Sequence, residues 1–483
     1  MRKLTILGIM CVGLLFASTI HAQVAPGVND AELKGDYAFK FTGMTTGGGN
    51  NWTPFAAVGR FTSDGAGNLT NGELDANGFG AMEKAVAQPF TGTYSIGADS
   101  RGVMNLNIPG GGLLAFAMMA NGNAKFVEID AAGGHGTVGS GTMEKVDTTA
   151  YSTAKITGDY AFGVAGFDQS NNRMAMAGRF TANGAGTFTN GAADMNLSGT
   201  FSTLNVFAGS YMVTDGATGR GILNMPPVAG GTPINLDFVF YVVNAGKVFA
   251  MEMDALSPAT PLLTGAVLRQ QTPAIIGFTN ASLNGGMVIY GAGNGTAEAG
   301  QLQADGIGTL TLQFNGACWG EGGGTGTYNV ASDGRTAIKI GGAYGVTYLV
   351  SSNEAFYILP DPCVSFGFGE PQTAGTLTNS AIAGKYAGWM AIPTYVNQFI
   401  FSGEFTADGA SPTGHISGTE DIGTPSGAIL SQPANATYSI TSTYRNGAGA
   451  LSGNIAGIIY VISPSKFVVV SSDAHPALLI FEQ

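Results

Sequence analysis

The stretch Gly59 to Asn77 reads GRFTSDGAGNLTNGELDAN, and the chain returns to it three times in weakening form. The copies are Gly178 to Asn196 (GRFTANGAGTFTNGAADMN), a third from Gly300 (GQLQADGIGTLT) and a fourth from Gly403 (GEFTADGASPTG). Self-similarity of this kind means one structural unit built four times. Within a copy, Phe61 and Leu69 lie in β-prone runs on either side of Asp64-Gly65-Ala66-Gly67, where glycine supplies the positive φ of a tight turn. The stretch therefore reads as a β-hairpin. A calcium loop is the competing reading, since Asp64, Asn68 and Asp75 offer oxygens. Calcium takes six to eight oxygen ligands at alternating positions. Ala66 occupies one of those positions and Asn183 replaces Asp64 in the second copy, so the plain turn is preferred and no metal is expected.

The rest of each unit alternates with period two. In Gly35-Asp36-Tyr37-Ala38-Phe39-Lys40-Phe41 the aromatic residues share one face, with Asp36, Ala38 and Lys40 on the other, as in a half-buried strand. Further strands follow at Thr91 to Ile96, Met104 to Ile108, Leu114 to Met118, Phe126 to Asp130 and Gly139 to Lys145. About eight strands fill a little over a hundred residues. The signature reappears at Ile156 to Phe162, in diverged form after Leu283, and at Ile382 to Tyr386. Gly92-Thr93-Tyr94 returns as Gly209-Ser210-Tyr211 and Gly326-Thr327-Tyr328, and Arg101-Gly102 as Arg220-Gly221. The repeats run 33–145, 156–271, 283–372 (shorter and diverged) and 382–483, separated by polar or small linkers.

An antiparallel unit of this size must hide its edge strands, and closure into an up-and-down barrel removes them. The expected fold is all-β: four tandem antiparallel barrels of about eight strands, with a two-sheet sandwich as the alternative. The barrel is favoured because the first and last strands bracket every repeat, as two strands that pair would.

The N-terminus carries Arg2 and Lys3, an apolar run from Leu4 to Ile20, then His21-Ala22. That is a secretory signal peptide over 1–22, so export to the periplasm, medium or outer cell surface is expected. No later run is long and apolar enough for a transmembrane helix. Loss of Arg2 and Lys3 takes the formal charge from −12 to −14. With no basic cluster, nucleic acid is not an expected partner. Glycine is 76 of 483 residues, yet 45% of the chain is hydrophobic, which excludes low-complexity disorder. The mature chain keeps Cys318 and Cys363, a pair that suggests a disulfide in an oxidising compartment, two buried thiols being the alternative.

Chemistry is sparse. The histidines His135, His415 and His475 fall in different regions of their repeats, and no nucleophile elbow, P-loop or dinucleotide fingerprint is present. Asp75, Asp130, Asp194 and Asp254 recur in corresponding places, which reads as turn and strand-end chemistry. Asp36 and Asp159 become Lys385 in the fourth repeat, as exposed positions do. No enzyme and no cofactor is expected. The loop between the first two strands varies in length, and in repeat 1 it carries Asn51 and Trp52, a candidate sugar platform, the alternative being a Trp that caps the barrel mouth.

The LxGxYxF opening, the GxFTxDGxG hairpin and the GTY strand resemble a repeat of exported, largely uncharacterised β-repeat proteins of soil bacteria. The resemblance covers nearly all of the mature chain and implies architecture without an activity. A looser likeness to lipocalin and avidin barrels is one of fold alone. Two functions compete: a non-catalytic secreted or cell-surface chain of modules for adhesion or polysaccharide binding, and a lipocalin-like carrier of small apolar ligands. Cavity volume separates them, because barrels filled by Tyr37, Phe39, Phe41 and their partners hold no ligand. A single outer-membrane barrel is the weakest reading, since the repeats close on themselves.

Overall fold

The computed structural model describes residues 27–46, 52–78, 84–109, 112–129, 137–225, 236–257, 260–273, 276–316, 318, 320–392, 399–424, 427–441, 446–473 and 476–483. The proposed signal segment 1–22 and the residues Asn51, Asp130, His135 and His475 lie outside this set. Each repeat is a closed barrel of eight antiparallel strands in sequence order. Barrel 1 runs from Lys34–Thr46 to Thr137–Lys145, barrel 2 from Thr157–Phe167 to Leu262–Arg269, barrel 3 from Asn284–Gly293 to Phe366–Pro371, and barrel 4 from Gly384–Ile392 to Leu478–Glu482. Closure is made by the first and eighth strands, for example Tyr37 opposite Lys145 and Ala387 opposite Glu482. That pairing removes the sandwich alternative. Among the described residues no helix is long and apolar enough to cross a membrane.

Inward residues follow the period-two reading. Tyr37 stacks on Phe61 at 5.4 Å and Phe41 on Phe126 at 6.0 Å, filling barrel 1. Glycines opposite these rings are what let them lie flat on a strongly curved wall. A Cβ on Gly59 would stand 2.6 Å from the Phe39 ring, and one on Gly141 2.2 Å from that of Phe126. The recurring GTY tyrosine plugs the end that receives the linkers: Tyr94 donates to the carbonyls of Asp30 and Leu33, Tyr211 to Ile156, and Tyr328 to Asn280 and Leu283. The hairpin acid is spent on its own turn. Asp64 accepts from the amides of Ala66 and Asn68, and Asp305 from Ile307, Gly308 and Thr309.

The outward faces differ from the expectation of a solvated side. Ala38, Ala56 and Val58 of barrel 1 are buried against Val239, Tyr241 and Val243 of barrel 2. Equivalent apolar faces join barrels 2 and 3, and barrels 3 and 4. Barrel 4 then packs back on barrel 1, so the four units form a closed ring rather than an open chain. Strands buried on both faces read as near-continuous apolar runs, as Phe238 to Val243 does.

Acids expected at turns prove to be the polar centres of these junctions. Asp75 and Asp194 lie within strands and are fully buried. Asp75 receives two hydrogen bonds of 2.8 Å from the Arg220 guanidinium and one of 2.8 Å from the Tyr241 hydroxyl, both in barrel 2. Asp194 is held the same way by Arg335 and Tyr348 of barrel 3. Asp421 of barrel 4 meets Arg101 of barrel 1 at 2.7 Å and so closes the ring. At the remaining junction Asn315 takes the place of the acid and accepts a hydrogen bond from Tyr460, and Ala448 stands in the arginine position. Acid and base are lost together there, because either alone would be a buried unpaired charge. Asp254 does keep a turn position, its carbonyl accepting from Asn77. Asp36 and Asp159 are not merely exposed either. Each pairs across to the next strand, with Arg60 at 2.6 Å and Arg179 at 2.7 Å. In barrel 4 the signs are exchanged, with Lys385 and Glu404 at those positions.

Candidate functional site in barrel 3

Barrel 3 departs most from the repeat. At the inward positions of strand 1, barrels 1 and 2 have Tyr37-Phe39-Phe41 and Tyr160-Phe162-Val164, whereas barrel 3 has Met287, Ile289 and Gly291. Besides Phe314, the large inward aromatic of the upper half is Tyr357, from strand 7 (Glu354–Ile358). The phenol lies along the wall over Gly291 and Gly367, where a Cβ would stand 2.4 and 2.7 Å from it. That path carries its hydroxyl to Glu298 on strand 2 (Thr296–Asp305), to which it donates at 2.8 Å. With the ring laid against one wall, the opposite side stays empty. Leu312, Phe314, Ile338 and Ile340 face a cavity of about 190 Å³. Below it Leu283, Leu310, Tyr328 and Leu349 close the barrel.

Glu298, Thr347, Tyr344 and Tyr357 bring polar atoms to this largely apolar lining, and Arg173 acts on Glu298 from outside it. Glu298 replaces Ala57, Met176 and Phe401 of the other repeats and is buried; burial raises its carboxyl, and the Tyr357 hydrogen bond and the Arg173 charge only partly oppose this, leaving it at about 7. Arg173 belongs to barrel 2 and is fixed by the carbonyls of Val364 at 3.1 Å and Ala292 at 2.8 Å. Thr347 pairs with Tyr357 in the sheet, is 3% exposed, and its hydroxyl has no hydrogen-bond partner among the described residues. An orphaned buried hydroxyl costs about 1–3 kcal/mol, so a group that satisfied it would be held there.

Cys318 and Cys363 form a disulfide with Cα atoms 6.1 Å apart. They sit in the connections between strands 3 and 4 and between strands 7 and 8, half-way round an eight-stranded ring from each other. The bond therefore crosses the cavity end of barrel 3. Asn294, in the hairpin between strands 1 and 2, ties in by donating to the Cys363 carbonyl at 2.6 Å. Trp52 opens strand 2 of barrel 1, paired with Thr46, on a different barrel from the cavity. Its candidate partner Asn51 is outside the described residues.

The cavity was legible in part. A glutamate where other repeats have core residues, and aromatics lost while inward glycines persist, are sequence signals of a hollow barrel. Arg173 and Thr347 gave none, because one reaches in from another barrel and the other is ordinary strand composition.

Burial also raises Glu420 to about 7, Glu404 to about 8 and Glu252 to about 9. These carboxyls bind protons more tightly folded than unfolded, so their contribution is greatest at low pH and is lost as pH rises through the folded values. The protein should therefore melt higher at pH 5 than at pH 8, by an amount of the order of a few kcal/mol. Thermal melts across that range check this; a stability that climbs from pH 5 to 8 contradicts it.

Fold and site together define an all-β protein of four closed barrels in which one barrel holds an apolar cavity with a polar wall. No family model and no curated protein matches the chain. Solved structures similar to it at low level include the following two. Kievitone hydratase from Nectria haematococca shares 8% identity over 68% of this chain and 89% of its own, with a TM-score of 0.17. A DUF3598-family protein of unknown function from Nostoc punctiforme shares 10% over 60% and 97%, with a TM-score of 0.15. Likenesses at these values carry no argument about activity.

Proposed function

We propose that the protein is an exported, non-catalytic carrier that holds one small, mostly apolar molecule in barrel 3, the other three barrels serving as its frame. The observation that supports this reading is the 190 Å³ cavity with the unpartnered Thr347 hydroxyl in its wall. A dry cavity of about 150 Å³ takes benzene. A ligand of about 7–10 heavy atoms fits here at ordinary packing density, and a single hydroxyl on it would meet Thr347 and Glu298. Phenols and compact alicyclic alcohols have that shape and polarity.

The test is calorimetric titration of the mature chain with p-cresol and with p-xylene, which differ by a hydroxyl for a methyl. The cresol should bind about 5–10-fold more tightly, and Thr347→Val should narrow that gap. Ile289→Phe, which restores the aromatic of repeats 1 and 2, should abolish binding of both while the protein stays folded. Equal binding by Ile289→Phe would move the ligand elsewhere. A melting rise with pooled polysaccharides and none with apolar compounds would return the adhesion reading.

A further inference from the structure

The four barrels also meet at the centre of the ring, where charged side chains from all of them gather. Lys40, Lys125 and Glu144 come from barrel 1, Lys247 from barrel 2, Glu370 from barrel 3, and Lys466 and Glu482 from barrel 4. Lys247 pairs with Glu144 at 2.7 Å, Lys466 with Glu370 at 2.6 Å, and Lys125 with Glu482 at 3.7 Å. Aromatic faces support the same cations: Lys125 lies 4.4 Å from the Trp389 ring and Lys466 5.6 Å from that of Tyr290. Lys40 differs. Its near neighbours are Lys247, Lys125 and Glu144, and that glutamate is already engaged by Lys247. No carboxylate among the described residues stands within ion-pair distance of Lys40.

The shortfall has a place in the repeat. On the eighth strand, Glu144 lies opposite Ala38, Glu370 opposite Val288 and Glu482 opposite Ala387, but the matching residue opposite Ala161 is Leu268. Four lysines thus share three carboxylates. The paired side chains keep 11–29% exposure, so small ions reach them from solvent. An unpaired ammonium beside two others, largely enclosed by protein, is costly unless an anion joins it. Burial, with Lys247 and Lys125 adding to it, lowers Lys40 to about 8.

We propose that the ring centre is a binding site for a small carboxylate anion, held by Lys40 with Lys125 and Lys247 beside it, in the role of the missing fourth glutamate. The site is independent of the barrel 3 cavity.

Melts of the full mature chain at pH 7 in sodium acetate and in sodium chloride, matched in ionic strength, test it. Acetate should raise the melting temperature saturably over chloride, and calorimetric titration with acetate should show one site per chain. Lys40→Met removes the unpaired ammonium, so it should fold, melt no lower than the parent in chloride, and lose the acetate response. Identical melting in both salts, or an acetate response retained by Lys40→Met, would overturn the proposal. So would a Lys40→Met protein that melts well below the parent in chloride, because Lys40 would then have a partner within the chain.

Discussion

Arg220→Ala should destabilise the protein by about 3–5 kcal/mol, the largest effect expected of any single charged-to-neutral change in the chain. Asp75 is fully buried, and Arg220 supplies two of its hydrogen bonds and, among the described residues, its one counter-charge within ion-pair distance. Removing the guanidinium leaves a buried carboxylate with two neutral donors, the Tyr241 hydroxyl and the Ala87 amide, which do not replace its counter-charge. The ring itself contains the control. At the barrel 3 to barrel 4 junction the same two positions are Asn315 and Ala448, and the tyrosine bond persists through Tyr460. The Asp75→Asn/Arg220→Ala double variant copies that solution and should recover most of the loss, ending within about 1–2 kcal/mol of the parent. Denaturant titrations of parent, both single variants and the double measure the coupling. A single Arg220→Ala variant within 1 kcal/mol of the parent, or a double no better than that single, would show that the junction is held by its apolar face alone.

Replacing both Cys318 and Cys363 by serine should cost up to about 4 kcal/mol in the chain-entropy model for the 45-residue separation the disulfide closes. The loss should fall on barrel 3 first. Its interior holds the cavity of about 190 Å³, and the bond joins connections on opposite sides of its open end. The same change should weaken p-cresol binding several-fold, since the cavity lies directly beneath. Melting of the oxidised and reduced parent, followed by cresol titration of each, separates the two effects. If reduction lowers the melting temperature yet leaves cresol affinity intact, the disulfide braces the barrel without shaping its cavity. If it changes neither, barrel 3 owes its stability to its neighbours in the ring.

Much of the fold can be read from the residues because local rules and barrel closure agree. Tyr37, Phe39 and Phe41 alternate inward, Asp64 and its glycines make the turn, and the first strand of every repeat pairs with the eighth. The cavity is legible in outline through Glu298 and the missing aromatics of repeat 3. The junction acids mislead a local reading. Asp75 and Asp194 recur in corresponding places as turn acids do, yet their partners lie 145 and 141 residues away in the chain. The paired loss of acid and arginine at Asn315 and Ala448 is the one trace of that contact in the sequence, and it becomes meaningful only when the two positions are known to touch.

The sequence by itself determined four all-β units, the inward faces, the hairpin turns and the two cysteines of barrel 3. These follow from side-chain periodicity and turn chemistry, which act between residues near in the chain or paired in one sheet. Only the tertiary structure decided that the units close into a ring, that outward faces are buried, that Arg173 of barrel 2 backs the carboxylate of barrel 3, and that Lys40 has no carboxylate within ion-pair distance among the described residues. Those outcomes depend on how rigid barrels pack against one another, and packing between units has no period along the chain.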